Sequence, residues 1–109
     1  MTPLAYLLQR GSAMILAPLV IVHLIVILIA VQGGLTGEEI LARTRGNVLW
    51  AGFYGLFVVA AAVHAGVGLQ AILREWTPLG QRGSAVSAHV FMLALLVLGL
   101  RAVMGVYGT

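Results

Sequence analysis

The chain is predicted to be an all-α integral membrane protein with three transmembrane helices, on three observations. Hydrophobic residues fill 61% of its 109 positions and charged residues 8%, against roughly 45–50% and about 25% in soluble domains. A soluble fold of this length has one small core and could not hide so much apolar surface in it. Three apolar runs are also long enough to cross a bilayer, which takes about 20 residues per helix. Helices are the natural form there, because lipid offers nothing for an unpaired backbone group to bond.

Taken in order, the first span is expected from about Ala13 to Val31. Pro18 lies inside it, removes one intrahelical hydrogen bond and should kink it. The stretch QGGLTGEEILARTRGN then reads as an interfacial loop carrying one short surface helix, from its glycines and charges. The second span is expected from about Val48 to Leu73. The link REWTPLGQRGS follows, a turn around Pro78, Gly80 and Gly83. The third span runs from about Ala85 to Tyr107, interrupted only by Ser87, His89 and Arg101. The whole chain, 1–109, is then one transmembrane domain.

Orientation follows from the arginines. Arg10, Arg74 and Arg82 flank one side of the bilayer and Arg43 and Arg45 the other, and the positive-inside rule puts the N-terminus in the cytoplasm. The net charge of +3 arises from arginines with no lysine; beside membrane spans these read as headgroup anchors, not as nucleic-acid contacts. The first apolar run is too long, and wrongly flanked, for a cleavable signal peptide. With no cysteine, the chain cannot form disulfides, thiolate zinc sites or its own iron–sulfur ligation.

The word QRGSA occurs twice, at Gln9–Ala13 and Gln81–Ala85, each time just before an apolar run on the expected cytoplasmic side. Beyond it the two spans share little, so no internal repeat is inferred. For the second copy, Arg82 and Ser84 are read as a surface anchor.

All three histidines, His23, His64 and His89, fall within expected spans, where polar groups are costly and face a partner, a cavity or a cofactor. His89 lies near the end of its span and is read as a histidine satisfied at the interface. His64 stands in VVAAAVHAGVGLQAILREW, where Ala60, Ala61, His64 and Gly68 share one helical face. A smooth stripe with one imidazole suits a flat macrocycle needing a nitrogen ligand for iron; small residues equally suit close helix packing. Counting about 1.5 Å per residue from the expected cytoplasmic edges puts His23 roughly 15 Å deep and His64 roughly 13 Å deep. At nearly one level, the two could grip a single haem between them, or each could face a different haem. Bis-histidine ligation leaves no open iron position and favours electron transfer.

HAGVGLQAILREW resembles the second-helix signature of the membrane-anchor (cytochrome b) subunits of succinate dehydrogenase and fumarate reductase, complex II. Its matching positions are His64, Gly68, Glu75 and Trp76, and QRGSAMILAPL is similar to their first-helix start at Arg10, Ser12 and Ala13. The stretch from His64 to Trp76 and the proline after it look nearer the small, D-type anchor, with the C-type left open. The resemblance implies that His64 is an axial ligand of a haem b shared with a second membrane-anchor subunit. It implies that Arg10 lies near a haem propionate or the quinone head, Ser12 near the quinone, and Glu75 and Trp76 at the border of the quinone pocket. His23 would serve a second haem, as a first-helix histidine does in two-haem members; the alternative is a histidine packed and satisfied within the bundle.

The quinone so implied is ubiquinone or menaquinone. Some members carry a tyrosine where Trp76 stands, and an indole N–H can donate but not accept, so a donor role fits and proton relay does not. An iron–sulfur subunit and a flavoprotein subunit would carry the succinate chemistry, with this chain relaying electrons in the bacterial cytoplasmic membrane. Two other readings remain at this stage. A small transporter or efflux subunit would need a membrane-embedded titrating group, and all three acids fall outside the spans. A haem-free structural anchor of the same fold is the other.

Overall fold

The computed structural model describes residues 2–108, and these form four helices: α1 (Pro3–Gly33), α2 (Gly37–Thr44), α3 (Val48–Trp76) and α4 (Gly80–Tyr107). No strand occurs among the described residues, and α1, α3 and α4 are each long and apolar enough to cross a membrane. The chain is a multi-pass membrane protein. Its long dimension, 47 Å, is that of α1 at about 1.5 Å per residue.

Local chemistry sets the helix ends. Thr2 accepts a hydrogen bond from the Ala5 N–H at 3.1 Å, with Pro3 in the first turn, where its missing N–H costs nothing. Thr36 caps α2 by accepting from the Glu39 N–H, and its hydroxyl donates to Glu39 Oε1 at 2.7 Å. Asn47 Oδ1 accepts from the N–H groups of Leu49 and Trp50 to start α3. Gly108 ends α4 in the left-handed region at φ 97°, a conformation that favours glycine.

α3 is the central helix, packed against α4 along most of its length and against α1 on another side, while α2 touches α4. Small residues make these approaches close. Ala60, Ala62, Gly66 and Ala88 are buried, and a Cβ built on Gly99 would fall 2.5 Å from Val58 Cγ1. Most large apolar side chains instead face outward. Association through small residues, with the bulky ones left to the hydrocarbon, is how membrane helices pack when burial from water offers no driving force.

Several expectations change. α1 starts ten residues before the expected first span, because Leu4, Leu7 and Leu8 extend its apolar surface past Gln9 and Arg10. Pro18 lies inside this one continuous helix, where it was expected. α4 starts at Gly80, five residues before the expected third span, so the turn is confined to Thr77–Leu79 and Gly83 is helical. The short surface helix expected in the first loop is present as α2.

Candidate functional site

The antiparallel register of α1 on α3 is fixed by three contacts. Gln9 Nε2 lies 3.1 Å from where a Gly68 Cβ would be. Ser12 Oγ is 3.3 Å from His64 Nδ1. The His23 ring meets Tyr54 and Phe57 edge-on, with centroids 6.0 and 5.1 Å apart. His64 and Tyr54 are ten positions apart on α3, so the levels of His64 and His23 differ by about 15 Å. The expectation that the two imidazoles lie at one depth is therefore wrong. It counted from Ala13, and α1 begins at Pro3. Axial ligands on one iron lie only about 4 Å apart, each near 2 Å from the metal, so these two histidines cannot hold the same haem between them.

His64 is half-buried at the α1–α3 contact. Ser12 is buried and donates its hydroxyl proton to the Gln9 carbonyl at 3.1 Å, leaving its lone pairs toward His64. The Nε2 nitrogen of His64 has no hydrogen-bond partner among the described residues. Part of the small-residue stripe serves helix packing: Ala60 is 5% exposed, and Gly68 admits the Gln9 side chain. Ala61 stays partly open beside the imidazole.

Arg10 sits two residues before Ser12, about 3 Å along the axis. Its exposed guanidinium lies over the Tyr6 ring at 5.8 Å and forms no ion pair among the described residues. Leu4, Leu7 and Leu8 lie on its outer side, so this cation stands inside the apolar length of α1. Glu75 and Trp76 occupy the last turn of α3, with Trp76 81% exposed. They are eleven and twelve positions beyond His64, roughly 17 Å away along the helix. The structure thus brings Ser12 to His64 but does not bring Ser12 to Glu75 and Trp76, contrary to the convergence expected of them.

His23 lines an apolar cavity of about 410 Å³ with Tyr54, Phe57, Val58 and Thr44. The aromatic cluster around it was not anticipated, although its signal was available: Trp50, Phe53, Tyr54 and Phe57 follow the i, i+3, i+4, i+7 spacing of one helical face. His89 is exposed and donates from Nδ1 to the Ala85 carbonyl of its own helix at 2.6 Å, which agrees with the satisfied histidine expected there. In the second QRGSA word, Arg82 is exposed as expected of a surface anchor. Ser84 is not: it is 0% exposed, and its hydroxyl has no partner. Four residues before buried Ala88, it lies on the face that α4 turns inward.

Among the described residues no three histidine, cysteine or acidic side chains gather to chelate a metal. Axial ligation of a macrocyclic iron asks only one imidazole of a helix. His64, with one nitrogen engaged and the other unpartnered, fits that requirement.

Neither a curated protein nor a solved structure matches the chain significantly. A family model does, over residues 2–103, described as the succinate dehydrogenase/fumarate reductase transmembrane subunit. That match takes in all of α1, α2 and α3 and most of α4. With three membrane helices and no strand among the described residues, the chain belongs to the succinate dehydrogenase/fumarate reductase transmembrane subunit family.

Proposed function

We propose that this anchor subunit holds a haem b through His64 Nε2 and forms one wall of a quinone site at the Trp76 end of α3. One observation carries the reading: His64, half-buried at the α1–α3 contact, has its Nδ1 engaged by Ser12 and an Nε2 with no hydrogen-bond partner among the described residues. Arg10, on the same stretch of α1, is a guanidinium without an ion pair among the described residues. A cation in that position calls for an anion, and haem propionates supply two. When bound, the haem supplies a one-electron relay or reservoir between the iron–sulfur subunit and the quinone.

The residues of this chain bind and orient. His64 gives the axial nitrogen, and Arg10 neutralises a propionate or the quinone head. The Trp76 indole N–H donates to a quinone carbonyl, and as a donor only it fixes position without relaying protons. Glu75 beside it borders the pocket and offers a carboxylate at the membrane rim. His23, about 15 Å from His64 along the bundle, would serve a second haem; its apolar cavity and its separate level support that arrangement over a shared iron. A second anchor subunit would complete the ligand sets, covering part of the outward-facing apolar surface. Flavoprotein and iron–sulfur subunits would carry the succinate or fumarate chemistry. The small D-type anchor remains the nearer comparison, the membrane is proposed to be the bacterial cytoplasmic one, and the N-terminus is assigned to its cytoplasmic side.

The test is His64→Ala in the complex purified with its partners. The reading expects the haem-to-protein ratio to fall and the reduced-minus-oxidised absorption to lose a component. An unchanged spectrum and ratio would remove His64 from the ligand set and leave the haem-free anchor as the better description.

A further inference from the structure

We infer that Ser12 is a positioning residue for His64: it holds the imidazole proton on Nδ1 and turns Nε2 outward as the ligand nitrogen. This rests on the reading of His64 as an axial ligand and gives Ser12 a different task from the quinone contact that resemblance alone implied.

The inference follows from counting protons. A serine hydroxyl carries one proton and two acceptor sites. Ser12 gives its proton to the Gln9 carbonyl at 3.1 Å, so toward His64 it can only accept. His64 Nδ1, at 3.3 Å, must then be the donor. A neutral imidazole with its proton on Nδ1 has its lone pair on Nε2. The contact is 6% exposed at Ser12, away from competing water, and in such surroundings a hydrogen bond is electrostatically stronger than in water.

The other two histidines lack this arrangement. His89 is held by a carbonyl of its own helix. His23 has ring contacts and no hydrogen-bond partner among the described residues. Among the three, only His64 is hydrogen-bonded to a second helix, so α1 fixes both the protonation form and the direction of a ring carried by α3. The second QRGSA word shows that the sequence alone is not sufficient: Ser84 is buried as deeply, but its hydroxyl has no partner.

A hydrogen bond accepted from the non-ligating nitrogen raises the basicity of the ligating one and holds the ring plane. More basic nitrogen favours ferric over ferrous iron. The test compares the parent complex, purified with its partner subunits, with Ser12→Ala and Ser12→Thr. Haem content, the redox midpoint of the His64 haem and the g-values of its ferric low-spin signal are measured.

In Ser12→Ala the ferrous-to-ferric ratio at fixed ambient potential should rise about threefold, equivalent to about 30 mV at 59 mV per tenfold for one electron. The g-values should shift as the ring loses its restraint. Ser12→Thr, which keeps the acceptor, should return both to the parent values. Loss of haem in Ser12→Ala but not in Ser12→Thr would carry the same meaning. Ser12→Ala indistinguishable from the parent would overturn the inference, as would Ser12→Thr displaced as far as Ser12→Ala, or haem lost equally from both. A parent complex without haem, or His64→Ala with unchanged haem, would instead sink the ligand reading beneath it.

Discussion

Replacing Gly99 by Ala tests how tightly α3 and α4 are matched. The added Cβ would fall 2.5 Å from Val58 Cγ1, 3.0 Å from its Cγ2 and 3.3 Å from its Cβ. Valine branches at Cβ and has one strongly preferred rotamer in a helix, so it cannot swing aside and the helices must separate. Overpacking of this kind costs about 1–3 kcal/mol, offset by the roughly 1 kcal/mol that alanine gains over glycine inside a helix. The net expectation is a loss of about 0–2 kcal/mol. Val58→Ala alone forfeits only dispersion contacts, because lipid is as apolar as the interface it leaves; at about 0.1–0.2 kcal/mol per atom pair this comes to about 1 kcal/mol. In the double variant the clash is gone. Its stability should exceed the sum of the single effects by about 1–3 kcal/mol, the overpacking term itself. Unfolding titrations from mild detergent into dodecyl sulfate, followed by far-ultraviolet circular dichroism, give the four free energies. Single effects that add to within about 0.5 kcal/mol would refute the reasoning.

The Thr44 hydroxyl shares its one proton between the Val106 carbonyl at 2.6 Å and the more distant Ile40 carbonyl at 3.0 Å, giving a donor to an acceptor at the end of α4 that has no intrahelical one. Thr44→Val should cost about 1 kcal/mol in the same titration and speed amide exchange where Gly46 bonds the Tyr107 carbonyl. Ser84→Ala removes a buried hydroxyl that bonds to nothing, so stability should stay level or rise by up to about 1 kcal/mol. Trp76→Phe deletes one exposed N–H donor: folding should change by less than about 0.5 kcal/mol. The KM for quinone should rise roughly two- to tenfold with kcat little altered, the loss of one uniform hydrogen bond.

Much of this architecture was legible because lipid imposes a simple rule. Runs of apolar residues gave all three spans, and the glycines and charges between the first two gave α2. Helical spacing around His64 also marked the residue that α1 approaches. What sequence could not supply was register. Gln9 and Arg10 looked like a boundary because polar residues usually stop a span, yet Thr2, Pro3 and the leucines that follow start the helix earlier. That ten-residue error moved His23 to the level of His64 and suggested one shared iron. It also set Ser12 just outside the first span, when it lies along α1 against His64. Ser84 was misjudged for a related reason: Gly80 starts α4 early enough to turn that serine onto α3 instead of into the headgroups.

The haem-to-subunit ratio of the intact purified complex bears most directly on the central claim, that His64 binds iron in a porphyrin. At least one b-type haem per copy of this chain is expected, and two if His23 ligates as proposed. A complex that retains its partner subunits and succinate chemistry but contains no haem would contradict it.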